Sequence, residues 1–267
     1  MPPVERVIET MATSRRDFLK NSALVGSALG TAGTPNLAGG HAVQADVIPS
    51  RKSTELLRLL NLKYPIFQAP HAGAGPDLVA AVSNAGGMGI LGGLNRLTPE
   101  AVHEYVTAAR NLTKRLFAVN YLLAFDSRSL PFALEAGAPV LHFSWGLPTK
   151  DMVSTVRRAG SKFGVQIANA AGARAALDLG ADYLVCQGVE AGGHVQSSTA
   201  LYEVLPTILD EARNTPVLAV GAISHGRKIR RALMAGASGA MQVRGRISVV
   251  PGGQDSPAGM GVPRPPR

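Results

Sequence analysis

Cysteine is nearly absent from this chain: Cys186 stands alone among 267 residues. An intrachain disulfide is therefore impossible, and a cysteine-built metal cluster is excluded. Cys186 lies inside an apolar, strand-like run and reads as a small core residue. Long hydrophobic runs are also missing. The weakly apolar stretch from Asn21 to Gly30 is too short, and too rich in Gly and Ser, to span a bilayer. No other stretch reaches that length, so no stable membrane insertion is expected. Negative charge is scarce only at one end. The formal net charge is +9, but residues 1–45 carry four basic and three acidic groups, and residues 46–220 carry fifteen and fourteen. Residues 221–267 carry eight basic groups and one acidic, and hold nearly all the excess. A nucleic-acid reader needs a basic face with stacking or base-contacting side chains. Arg227, Lys228, Arg230 and Arg231 read instead as a solvated helix face, so no nucleic-acid partner is expected.

The first 45 residues read as an address. Ser14-Arg15-Arg16-Asp17-Phe18-Leu19-Lys20 has the form of a twin-arginine export signal, and Val43-Gln44-Ala45 offers small residues before a cleavage point. The expectation is a periplasmic protein, or a cytoplasmic one where the signal is not used. The alternative is an N-terminal extension with a chance arginine pair.

From Tyr64 onward, short apolar runs recur at regular intervals: 65–68, 89–91, 117–120, 140–143, 163–167, 183–186, 216–220 and 239–242. Continuous apolar runs suit strands buried on both faces of a parallel sheet. The segments between them have helical patterns, over 77–84, 99–111 and 171–179 for example. Thr98 is placed to cap the second of these, with Pro99 at its first turn. Gly-Ala pairs such as Gly137-Ala138, Gly180-Ala181 and Gly236-Ala237 mark helix ends followed by short returns. Eight alternations predict a (β/α)8 TIM-type barrel over 46–267, ahead of a doubly wound sheet. No linker divides this stretch, but an irregular tail begins at about 244.

In such barrels the chemistry sits on the loops after the strands. Those loops are rich in Gly, Asn, Gln and His and poor in carboxylates, with Glu190 the only acid among them. That argues against a glycosidase, which needs paired carboxylates, and against a carboxylate-held metal. His71, His142 and His194 make a nominal three-His set, but His142 falls mid-strand, and no metal is expected. Glycine-lined loops with few charges suit a flat cofactor with a phosphate tail. The run Gln187-Gly188-Val189-Glu190-Ala191-Gly192-Gly193-His194 is the most informative. Its glycines let the backbone turn and approach a ligand. Its terminal imidazole is placed to move a proton near neutral pH.

Three motifs in order, Tyr64-Pro65-Ile66-Phe67-Gln68-Ala69-Pro70, then Ala81 to Gly89, then Gln187 to His194, resemble those of the nitronate monooxygenases, over about Leu57 to Gln242. The resemblance implies an FMN-dependent barrel that oxidises alkyl nitronates with dioxygen to a carbonyl compound and nitrite. Some members also accept the neutral nitroalkane, and His194 falls at the position of the base that removes its α-proton. The implied FMN contacts are Asn120, Gln187, Gly192, Gly221 and Ala222. Two further readings stay open: a related FMN-dependent enoyl-acyl carrier protein reductase, and a non-catalytic flavin-binding or truncated remnant.

The sequence departs from the family pattern in four places. Ala222 replaces the second glycine after strand seven, and can still offer its N–H provided its φ is negative. Val243-Arg244-Gly245-Arg246 stands where the family has Gly-Thr-Arg-Phe. The Pro/Gly/Arg-rich ending cannot form the eighth helix, so the last helix is expected to be missing or divergent. His71 occupies a place where Met is more usual.

Overall fold

The computed structural model describes residues 50–242, all within one unit, Val47–Arg267. Each apolar run becomes a strand: β1 Ile66–Gln68, β2 Ile90–Leu91, β3 Ala118–Leu122, β4 Val140–Ser144, β5 Lys162–Ile167, β6 Tyr183–Gln187, β7 Val217–Val220 and β8 Gly239–Gln242. They pair in parallel in the order β1-β8-β7-β6-β5-β4-β3-β2. The bridge Phe67–Met88 brings β1 back beside the chain entering β2. There Met88 N donates to Ile66 O, and Gln68 N to Met88 O, each at 2.9 Å. Where β2 is too short for a full ladder, the Gln68 amide takes over. Its Nε2 donates to Ile90 O and its Oε1 accepts from Ile90 N, both at 3.2 Å. The result is the (β/α)8 barrel that the sequence predicted.

The helices are α1 Arg51–Leu60, α2 Pro76–Asn84, α3 Pro99–Leu112, α4 Leu130–Glu135, α5 Lys150–Arg158, α6 Ala170–Asp178, α7 Leu201–Ala212 and α8 Gly226–Met234. Helices α2 to α8 follow β1 to β7 in turn. Thr98 caps α3 as expected, its Oγ1 accepting from Ala101 N at 3.3 Å. Gly137, Gly180 and Gly236 take the positive φ of helix ends. The twin-arginine segment, Val243 to Arg246 and the expected loss of the last helix lie outside the described residues.

Alternation along the strands makes two cores. Outward-facing Val119, Leu141, Phe143, Phe163, Val165, Leu184 and Cys186 pack with Val102, Val106, Val156, Leu205 and Ile208 of the helices. Inward-facing Phe67, Ala118, Val140, Tyr183 and Leu218 fill the barrel with Leu56 and Leu60 of α1, which close its N-terminal end. Cys186 is a buried core residue, and burial pushes its thiol up to about 12. Towards the C-terminal ends of β3 to β6 the buried interior residues become polar: Asn120, Ser144, Gln166 and Gln187. That change from apolar to amide marks the site. Among the described residues, no helix is long and apolar enough to cross a membrane.

Candidate active site

A cavity of about 290 Å³ opens at the C-terminal end of the barrel. Its walls come from the loop after β1 (Ala69, Pro70, His71, Ala72), from Arg96, and from Asn120, Leu122, Ser144, Trp145 and Gln166. Gly93, Gly192, Gly193 and His194, with Gln187, Val220 and Met241, complete it. No carboxylate lines it, as the loop compositions foretold. Among the described residues no group of three His, Cys, Asp or Glu side chains could hold a metal ion.

The structure brings His194, Asn120, Gln187 and Gly192 to this one cavity. Asn120 accepts the Ser144 hydroxyl with Oδ1 at 3.1 Å. Its Nδ2 has no hydrogen-bond partner among the described residues and can serve a ligand. Gln187 works differently. Its Nε2 donates to His194 O at 3.1 Å and its Oε1 accepts from Gln196 N at 2.8 Å, so both ends hold the loop. His194 is exposed, and its ring nitrogens make no hydrogen bond to the described residues. Its ring stands edge-on to two aromatic rings, Trp145 at 5.4 Å and Phe125 at 6.1 Å between centroids. His71 also lines the cavity, but its Nδ1 accepts from Gly73 N at 3.1 Å.

Gly221 and Ala222 are not cavity-lining residues, although Val220 just before them is. Ala222 has φ 48°, so the condition of a negative φ, under which its N–H could replace that of a glycine, is not met. The turn after β7 needs the left-handed region, where a Cβ is strained. Lys228 Nζ holds the Ala222 carbonyl at 2.8 Å and secures that turn.

Glu190, the loop acid, has a structural post. Its carboxylate accepts from Leu201 N at 3.0 and 3.3 Å, at the start of α7, whose N-cap Ala200 offers no side-chain cap. Gly188 makes the approach possible: a Cβ there would fall 2.4 Å from Glu190 Oε2 and 2.5 Å from Leu201. His142 lies one inward position below Ser144 and is fully buried. Its ring stacks on Tyr183, whose hydroxyl is 3.5 Å from Nδ1, while Nε2 has no partner among the described residues. Burial lowers its pKa to about 4, so it stays neutral beneath the mouth.

Two residues with no role in the sequence reading organise the loops. Gln196 accepts Trp145 N at 2.9 Å and Gln166 Nε2 at 3.2 Å, and donates to Gln166 O at 3.1 Å. It thus ties the ends of β4, β5 and β6 together. Trp145 donates its indole N–H to His194 O at 3.0 Å. Neither belongs to a motif. Only their place on loops beside Gln187 to His194 could have drawn attention to them.

The comparisons with known proteins agree with this geometry. The family model described as nitronate monooxygenase matches residues 53–136 and 125–247. A nitronate monooxygenase from Pseudomonas aeruginosa is 32% identical, over 68% of this chain and 65% of its own length. A (3aS,4S,5R,7aS)-5-hydroxy-7a-methyl-1-oxo-octahydro-1H-indene-4-carboxyl-CoA dehydrogenase from Rhodococcus jostii is also 32% identical, over 70% of this chain and 52% of its own. Among solved structures, a nitroalkane oxidase from Streptomyces ansochromogenes superposes with a TM-score of 0.62 at 28% identity, over 71% of this chain and 67% of that one. The chain spans about half to two thirds of the length of the curated relatives it matches. A family model that covers most of the chain, joined to a barrel whose Gly-Gly-His loop opens on its mouth, places the chain in the nitronate monooxygenase family.

Proposed function

We propose that this chain is a flavin oxidoreductase that uses FMN to oxidise alkyl nitronates with dioxygen to a carbonyl compound and nitrite. We further propose that His194 removes the α-proton when the substrate is the neutral nitroalkane. One observation carries the reading: the His194 imidazole, which makes no hydrogen bond to the described residues, lines the same cavity as Asn120, whose Nδ2 has no partner among them. The wall fits a flavin. It is uncharged apart from Arg96 and the histidines, apolar at Ala69, Pro70, Leu122, Val220 and Met241, and carries the Asn120 N–H donor. Asn120 and Gly192 would contact the cofactor and Gln187 would hold the loop around it, while Gly221 and Ala222 lie outside this wall. When bound, FMN supplies the electron acceptor that dioxygen reoxidises. FMN is favoured over FAD because no Gly-x-Gly-x-x-Gly follows a strand.

The chain's own residues do the positioning. Gln187 and Trp145 fix the His194 carbonyl, so the imidazole is held while its nitrogens remain free to take a proton. A preformed nitronate has already lost that proton. The His194→Asn variant should therefore lose about 100- to 10,000-fold in turnover of the neutral nitroalkane, and far less with the nitronate, at matched flavin content. Equal losses on both substrates would make His194 a binding residue. Acid extraction should release FMN; release of FAD would contradict the assignment. NADH consumption would favour the reductase reading instead. We propose, too, that Arg15 and Arg16 direct export. If the Arg15→Lys, Arg16→Lys double variant still appears outside the inner membrane, that reading fails.

A further inference from the structure

We infer that Trp145 is the positioning residue for His194, a role that rests on the reading of His194 as the base. Three observations on independent atoms converge. Trp145 has φ 56°, a left-handed conformation that a bulky aromatic side chain rarely adopts. Such strain persists only where the surroundings over-determine it, and it concentrates at functional sites. Here the surroundings are visible. The Trp145 backbone N–H donates to Gln196 Oε1 at 2.9 Å, and its indole N–H donates to His194 O at 3.0 Å. Finally, the indole ring stands 5.4 Å from the imidazole at 83°, with Phe125 beside the same imidazole at 6.1 Å.

The left-handed turn at Trp145 is what points the indole across the mouth. A residue with ordinary φ at the end of β4 would continue the strand direction and leave the loop after β6 untouched. Gln187 also donates to the His194 carbonyl, but from β6 itself, the strand that carries the loop. Trp145 reaches it from β4, and so fixes the loop from a second direction. Between the two donors the carbonyl is pinned, and the flanking aromatic rings limit how the imidazole turns. Position of this kind matters because proton transfer requires the base within hydrogen-bond reach of the α-carbon.

Trp145 is also the one tryptophan in the chain, so its fluorescence reports on this site alone. An imidazole in edge contact with the indole alters its emission, so wild type and His194→Asn should differ in Trp145 fluorescence at matched flavin content. Identical emission would overturn the contact. The second arm uses Trp145→Phe, which keeps an aromatic ring and removes the N–H. Loss of one hydrogen bond should raise amide hydrogen exchange across residues 188–196 about five-fold. Unchanged exchange would overturn the role. With flavin content matched, the variant's loss in kcat on the neutral nitroalkane should exceed its loss on the nitronate by about five-fold. Equal losses would mark Trp145 as a structural residue only. The fluorescence and exchange arms need no turnover. If no nitroalkane activity exists, the proposed reaction fails, while these two arms still decide whether Trp145 holds His194.

Discussion

Ala222 carries a φ of 48°, in a region that costs a residue with a Cβ roughly 1–2 kcal/mol. Glycine would adopt it freely, and would give back part of that gain through its looser unfolded chain. Ala222→Gly is therefore expected to stabilise the protein by about 0.5–1 kcal/mol, read as a higher urea midpoint at unchanged slope. A lower midpoint would mean that the methyl group packs usefully. His142 offers a residue-scale prediction of another kind. Its imidazole titrates near 6.5 in an unfolded chain and at about 4 in the fold. Between those values the unfolded chain binds a proton that the fold rejects. Its contribution to stability is therefore complete above pH 6.5 and is lost as the pH falls towards 4, by something on the order of 3 kcal/mol. In His142→Leu that part of the acid slope should disappear when unfolding is followed at pH 7, 5.5 and 4.5. A slope equal to wild type would assign it to other groups. Neither effect was legible in the sequence. Ala222 was recognisable as a departure, but the sign of its φ depends on where α8 must start. His142 was recognisable as mid-strand, but which face of β4 it used was not settled.

Among the elements, α7 depends on a residue outside it. It has no side-chain N-cap, and the Glu190 carboxylate supplies the missing acceptor at Leu201 N from the loop that carries His194. Glu190→Ala should cost about 1 kcal/mol, comparable with the loss of an ordinary N-cap. It should also raise hydrogen exchange in residues 188–196 and at the start of α7 together. Faster exchange in only one of the two segments would break the proposed link. Local patterns did announce the other elements. Thr98-Pro99 marked the start of α3, and the Gly-Ala pairs marked helix ends, because capping and left-handed turns are decided by neighbours in the chain. Strand β2 is the shortest of the eight, since only Ile90 and Leu91 pair regularly and the Gln68 side chain completes the seam.

At the level of the whole barrel, closure is concentrated at that seam. The backbone bridge Phe67–Met88 and the Gln68 amide are what join β1 to β2. Gln68→Leu would leave the buried Ile90 N–H and C=O without these partners. The expected cost is about 2–4 kcal/mol, seen as a lower urea midpoint, with exchange rising first in β1 and β2. A loss below about 0.5 kcal/mol would mean that water or a shifted backbone replaces the amide. The same closure sets the active-site mouth, because Ala69 and His71 enter the cavity wall directly after β1.

The sequence by itself determined the barrel, the positions of its strands, the carboxylate-poor mouth and the placing of the Gln187-to-His194 loop at that mouth. Each depends on periodicity, turn residues or composition, which act over a few neighbouring positions. Only the tertiary structure decided that Glu190 caps α7, that Gln196 joins three strand ends, and that Trp145 reaches His194. It also decided that Gly221 and Ala222 do not line the cavity. The partners in these contacts are nine to fifty-one residues apart in sequence. No local pattern encodes such pairings. They exist because closing the barrel brings the loops after β4, β5 and β6 to the same end, where leaving buried amides and carbonyls unpaired would be costly.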